Sequence, residues 1–188
     1  VVKPFLIGEI GLNFRDVAKR EGISDIDAAK LMIKNAKSCG VDAVNFYSFK
    51  LENITVMPQE NEFDTFGEDE FKVLAKYCDD VGIKLIATPF DFESVDFLSE
   101  IVDVLMISSG DLTNIPFIKY IGAKGKPVII SVGAAYISEV DDAVRALKES
   151  GCKDITLLHC VLSYPTSPDD ANLRVIETLK KIYPDLKI

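Results

Sequence analysis

Hydroxyl side chains and one carboxylate sit where three short apolar runs stop: Leu85 to Pro89 closes on Thr88, Val104 to Asp111 on Ser109 and Asp111, and Val128 to Gly133 on Ser131. Hydroxyls donate to phosphate or carboxylate oxygens, while a carboxylate moves a proton or accepts from sugar hydroxyls. Such residues at the ends of neighbouring strands describe a pocket for a polar, anionic ligand. Upstream, Glu9 interrupts the apolar run Phe5 to Gly11. A buried carboxylate must be paired or neutralised, so Glu9 is a further candidate for proton handling, with an ion pair at the sheet edge as its plain structural reading. Asn45 and Tyr47 lie late in the run Val41 to Phe49, and His159 and Tyr164 follow Ile155 to Leu158. No lysine or arginine falls within these strand-end segments; Lys50 and Arg15 are the nearest. An anion there would meet neutral donors and no charge-assisted clamp.

Other reactive residue types carry less. His159 is the only histidine, so no multi-histidine metal site can be built, and a lone imidazole in Leu-Leu-His-Cys reads as a hydrogen-bonded structural residue. Cys160 beside it has no activating neighbour in sequence. Asn114 before Pro116 reads as a helix cap. The four cysteines (Cys39, Cys78, Cys152 and Cys160) form no C-x-x-C pair, which fits reduced thiols in a cytoplasmic protein.

The elements that must position these residues alternate. Strands are expected at about residues 5–11, 42–49, 84–88, 104–109, 127–132 and 155–160. Between them lie amphipathic segments: Asp25 to Gly40 behind the capping box Ser24-Asp25-Ile26-Asp27, Glu68 to Val81, Ser94 to Glu100, Asn114 to Ala123, a helix opened by Ser138-Glu139-Val140-Asp141, and Asn172 to Tyr183. Asn13 to Gly22 reads as a polar loop, and Lys50 to Gly67 as a long functional lid or mobile segment. Leu186-Lys187-Ile188 reads as the start of another strand. Strands linked by helices form a parallel sheet with all carboxyl ends on one edge. The expected fold is therefore α/β, a (β/α)8 TIM-barrel type that is incomplete, with about six βα units and the start of a seventh strand, in one domain over residues 1–188. A doubly wound sheet competes, but Gly8-Glu9-Ile10-Gly11 lacks the spacing of a dinucleotide-binding turn.

At 188 residues, 48% hydrophobic and with a formal net charge of −9, the chain can bury a full core and is a poor partner for nucleic acid or anionic membranes. No apolar run approaches the roughly 20 residues that span a bilayer.

The motifs Gly8-Glu9-Ile10-Gly11-Leu12-Asn13, Ala87-Thr88-Pro89-Phe90-Asp91, Ser109-Gly110-Asp111-Leu112-Thr113-Asn114, Gly125-Lys126-Pro127-Val128-Ile129 and Leu157-Leu158-His159-Cys160 with Ser163-Tyr164-Pro165-Thr166 resemble the N-acetylneuraminate (sialic acid) synthases. The resemblance runs in order from Phe5 to Ile188. It implies a TIM barrel that condenses phosphoenolpyruvate with an N-acetylated aldose such as N-acetylmannosamine and releases phosphate, with a divalent metal, Mn or Mg, polarising the aldehyde. It assigns Thr88, Ser109, Ser131 and Tyr164 to phosphoenolpyruvate, and Glu9 and Asp111 to sugar binding and proton handling. Small-molecule substrates and a possible homo-oligomer go with it. Asn45 and Tyr47 stand where the family carries Lys and Gln, Met106 stands for a phosphate-binding Lys, and Val132 for Thr. Each lost lysine removes charge-assisted hydrogen bonds worth roughly 1.5 to 3 kcal/mol. The family's metal-binding histidines lie in segments past the position of Ile188, so the resemblance places no metal ligand in this chain and leaves the unmodified chain without turnover. The competing reading is a non-catalytic barrel homologue that binds a sugar or small anion, or an accessory subunit.

Overall fold

A computed structural model of the chain describes residues 3–55 and 65–188. They fall into two compact units, Val1–Asp103 and Val104–Ile188.

The first unit carries three strands, β1 (Ile7–Gly11), β2 (Ala43–Ser48) and β3 (Lys84–Pro89), paired parallel in that order. Its helices are α1 (Phe14–Glu21), α2 (Asp25–Ser38), the single turn α3 (Leu51–Ile54), α4 (Glu68–Val81) and α5 (Phe92–Ile101). Strand alternation sorts the side chains of β2 between two faces. Val44, Phe46 and Ser48 turn toward the helices, where Phe46 meets Phe14 (ring centroids 6.3 Å), Phe66 (6.3 Å) and Phe71 (6.5 Å). Asn45 and Tyr47 therefore face the other way. Burial of such aromatics dominates the unit's stability, and truncating Phe46 to alanine costs about 3 to 5 kcal/mol.

Residues Asn13 to Gly22 are a helix and not a loop. Phe14 and Ala18, four residues apart, put one buried stripe on α1, Phe14 stacks on Phe66 at 4.3 Å, and Gly22 ends the helix at φ 66°. Ser24 caps α2 as expected, with its Oγ accepting from Asp27 N at 3.1 Å, but the reciprocal half of the expected capping box is replaced by the Ser24 hydroxyl donating to the Asp27 carboxylate at 2.6 Å. Of the stretch Lys50 to Gly67 read as a lid, residues 56–64 lie outside the described residues. The described ends are the α3 turn and Thr65, whose hydroxyl accepts from Phe49 N at 2.8 Å and donates to Phe49 O at 3.0 Å.

The second unit pairs β4 (Val104–Ile107), β5 (Val128–Ser131) and β6 (Ile155–Leu158), again all parallel. Its helices are α6 (Ile115–Gly122), α7 (Ile137–Glu149) and α8 (Val175–Ile182), with 3-10 turns at Ser109–Asp111 and Pro168–Asp170. The core is mostly aliphatic, with Leu105, Ile107, Ile118, Ile121, Ile130, Leu147 and Leu157 fully buried and Phe117 beside them. Strand β4 ends at Ile107, two residues before the expected end, because Ser109 already belongs to the turn that Ser108 opens. Helix α7 starts with Tyr136 as its cap, two residues before the expected Ser138; Glu139 reaches back to accept from Tyr136 N at 2.8 Å. Lys187 bridges parallel to Thr156, with Leu157 N donating to Lys187 O at 2.9 Å, which is the strand start read at Leu186 to Ile188.

Candidate functional site

In the first unit the register sets Glu9 beside Asn45 and Tyr47 beside Thr88. Parallel partners in register share a face, so side chains 36 and 43 residues apart in sequence converge. The Asn45 amide nitrogen donates to Glu9 Oε2 at 2.9 Å and to Thr88 Oγ1 at 2.9 Å, and Thr88 Oγ1 donates back to Asn45 Oδ1 at 3.1 Å. Asn45 is 0% exposed and Thr88 2%, so this network stands in for the water those groups lose on burial. Part of Glu9 reaches solvent, but burial of its carboxyl raises its pKa; the hydrogen bonds from Asn45 and from Gly11 N–H pull the other way without cancelling it. Gly11, at φ 52°, ends β1 beside them. A Cβ there would lie 3.2 Å from the Tyr47 ring and 3.4 Å from Glu9 Oε1, so glycine lets the ring and the carboxylate approach each other. Tyr47 packs edge-on to Phe90, centroids 5.4 Å apart.

A second polar centre of the same unit was not legible as a site. Asp91 caps α5 by accepting from Ser94 N at 2.7 Å, and its other oxygen accepts from Lys50 N at 2.9 Å and Asn53 Nδ2 at 3.1 Å. Burial pushes its pKa up, but these hydrogen bonds outweigh it and hold the carboxyl below the usual range. Lys50, one of the two nearest bases, pairs with Glu93 at 2.6 Å. The sequence signal was the spacing Asp91-Phe92-Glu93-Ser94, a cap motif.

In the second unit Ser109 opens the 3-10 turn after β4, and its Oγ accepts from Gly133 N at 3.0 Å. Because the hydroxyl accepts from backbone, its own proton stays available to a ligand. Gly133 is needed there: a Cβ would sit 2.9 Å from Ser109 Oγ and 3.2 Å from Cys160 Cβ. Ser131 ends β5 and is 5% exposed. It shares its face with Ile129, whose register partner is Met106, so an apolar side chain holds the position where a lysine was expected. Burial raises the pKa of Asp111, opposed by a hydrogen bond with Asn114. Asn114 caps α6, accepting from Phe117 N at 3.4 Å.

Tyr164 is 92% exposed. His159 Nε2 bonds Ala171 O at 2.8 Å, the structural role read for it. His159 and Cys160 line an apolar cleft of about 540 Å³ with Val132 and Leu162, in which neither Ser109 nor Ser131 takes part. Among the described residues no group of three or more His, Cys, Asp or Glu is placed to hold a metal ion. All four cysteines are free.

Comparison with known proteins gives the chain's relatives. The NeuB family profile matches residues 32–188. An uncharacterized protein of Methanocaldococcus jannaschii is 40% identical over 95% of this chain and 52% of its own length. The N-acetylneuraminate-9-phosphate synthase of Mus musculus is 34% identical over 98% of this chain and 54% of its own. Among solved structures, the N-acetylneuraminic acid (sialic acid) synthetase of Leptospira borgpetersenii, in complex with citrate, superposes with a TM-score of 0.83 at 35% identity, covering 95% of this chain and 61% of that one. The fold class is therefore the expected one: α/β, of TIM-barrel type, incomplete, with six βα units. The chain spans about half the length of the curated relatives it matches.

Proposed function

The chain belongs to the NeuB family, and from that premise we propose that it serves the condensation of phosphoenolpyruvate with an N-acylated aldose, releasing phosphate. In this reaction class the enol carbon attacks the aldehyde carbon, water adds to the resulting cation, and the tetrahedral intermediate expels phosphate. The observation that carries the reading is the placement of polar groups at the carboxyl ends of parallel strands in both units: Glu9, Asn45 and Thr88 in one, Ser109, Asp111 and Ser131 in the other.

Ser109 and Ser131 donate to oxygens of phosphoenolpyruvate. Asp111, whose burial favours its protonated form, is the second unit's candidate for proton handling, and Glu9 is the first unit's. Tyr47, Thr88 and Asn45 in the first unit, and the exposed Tyr164 in the second, are the further candidate substrate contacts. The divalent metal that goes with this reaction class draws no ligand set from the described residues. The net charge of −9, the free thiols and the lack of any described helix long and apolar enough to cross a membrane support a cytoplasmic enzyme of small molecules.

A second reading, a non-catalytic homologue that binds a sugar or small anion, is favoured by Asn45 and Met106 in place of lysines. One experiment separates the two. Phosphoenolpyruvate is titrated into the chain by calorimetry, and phosphate release is followed with N-acetylmannosamine and manganese. Binding that weakens at least about tenfold in Ser109→Ala with Ser131→Ala supports the synthase reading. Turnover that these changes abolish excludes the non-catalytic one. Phosphoenolpyruvate binding that ignores both serines contradicts the synthase reading.

A further inference from the structure

We propose that His159 is a positioning residue for the candidate anion site at Ser109. By tying the loop between β6 and α8 to its own far end, it seats Cys160 and Leu162 on Gly133, the residue whose N–H donates to the Ser109 hydroxyl. This rests on the synthase reading and adds a residue to it. The imidazole stands at the start of the loop and Ala171 at its close, with His159 Nε2 and Ala171 O 2.8 Å apart. A carbonyl oxygen only accepts, so Nε2 carries a proton and donates it. The acceptor is fixed in turn. Ala171 ends the 3-10 turn Pro168–Asp170, Asn172 follows in the left-handed region at φ 47°, and the Asn172 amide donates to Asp170 O at 3.1 Å. All of these residues belong to the second unit.

The loop's other hydrogen bonds are local. Thr166 Oγ1 donates to Ser163 O at 2.7 Å, Ser163 Oγ to Pro165 O at 3.4 Å and Asp170 N to Ser167 O at 3.0 Å. Among the described residues, the bond from His159 is the one that joins the two ends of residues 159–171. Such a clamp removes conformational freedom that a ligand would otherwise have to remove on binding. The near end of the loop lies on the candidate site. A Cβ on Gly133 would be 3.2 Å from Cys160 Cβ, 3.3 Å from Leu162 Cδ2 and 2.9 Å from Ser109 Oγ. Loop and serine thus meet at one glycine, and a loop that drifts takes the Gly133 N–H away from Ser109 Oγ. Tyr164, two residues beyond Leu162 and 92% exposed, depends on the same loop for its place.

The test uses the 188-residue chain with His159→Gln, His159→Asn and His159→Leu. Glutamine sets its amide nitrogen where Nε2 stands and still donates to Ala171 O; asparagine reaches only as far as Nδ1, and leucine has no donor. Phosphoenolpyruvate affinity, read by calorimetry, is expected to fall about three- to tenfold with asparagine or leucine, the share of one net hydrogen bond, and to stay within about twofold with glutamine. In the ligand-free chain, hydrogen exchange of the Gly133 amide should quicken in the same two variants by more than that of Ile130 in β5, which reports the stability of the unit as a whole. A merely structural histidine would quicken both amides equally and leave the affinity of the folded chain unchanged. Should the leucine variant not fold, as read by circular dichroism, the glutamine and asparagine pair decides alone. Affinity in His159→Asn within about twofold of the unmodified chain, or Gly133 exchange that only follows Ile130, overturns the proposal. Failure of the synthase reading has a different signature: phosphoenolpyruvate does not bind, or ignores Ser109 and Ser131, and the Gly133 exchange then decides the positioning by itself.

Discussion

The two units solve one problem, polar residues at the ends of buried strands, in opposite ways. In the first, Asn45 holds Glu9 and Thr88 in a closed network, and the donors named above already have protein partners. In the second, Ser109 accepts from a backbone N–H and keeps its hydroxyl proton for something else. The contrast extends inward, since an aromatic cluster of Phe14, Phe46, Phe66 and Phe71 packs the first unit while mostly aliphatic side chains pack the second. Residue type alone does not say whether a strand-end hydroxyl is a ligand group. What its proton already does decides it.

The contrast can be broken most forcefully at Asn45. Asn45→Leu leaves Thr88 and the Glu9 carboxylate without their shared partner, and should cost about 3 kcal/mol in urea unfolding, whereas Ser109→Ala should cost about 1 kcal/mol. Equal losses would mean that the Ser109 hydroxyl is as structural as the Asn45 amide. Gly133→Ala comes next: its methyl meets Ser109 Oγ and Cys160 Cβ, for about 2 kcal/mol of strain. That cost should shrink in a Ser109→Ala background, since the closest of its contacts is gone, and a fully additive pair would contradict that contact.

The pH dependence of stability sharpens the comparison within the first unit. Burial raises the folded pKa of Glu9, so its contribution is fully present below the unfolded value near ~4.3 and is lost as pH rises through the folded value. Asp91 is the reverse: held low by its hydrogen bonds, it contributes above the unfolded value near ~3.9, and this is lost as pH falls through the folded value. Glu9→Gln should therefore flatten the decline on the alkaline side of ~4.3, and Asp91→Asn the loss on the acid side of ~3.9, in stability curves measured by chemical denaturation. The smallest effect is chemical. Burial, with Asp79 and Asp103 nearby, pushes the Cys78 thiol up to about 12, so a disulfide reagent at neutral pH should label the exposed Cys39 first and Cys78 only on unfolding.

Much of this was legible in the sequence, and the exceptions have physical reasons. The six strands are short apolar runs bounded by glycine and polar residues, so all six were located, with ends off by one or two residues where turns begin. Helix α1 was missed because only Phe14 and Ala18 of its eight residues are buried, too sparse a stripe to stand out among charges. The partnership of Glu9 with Asn45 could not be read, since it depends on strand register across 36 residues. Asn45 by itself looked like a lost lysine; only its hydrogen bonds show what it does instead. The Asp91 centre was hidden because a cap motif does not reveal which other backbone groups the same carboxylate will hold.

The proposed function rests on the strand-end hydroxyls of the second unit, and amide NMR of the 188-residue chain tests it most directly. Titration with phosphoenolpyruvate is expected to shift the backbone signals of Ser109, Gly110, Ser131 and Gly133. Titration with N-acetylmannosamine is expected to shift those of Glu9, Gly11 and Asn45. Phosphoenolpyruvate shifts centred on Asn45 and Thr88, with Ser109 and Ser131 unmoved, would contradict the account.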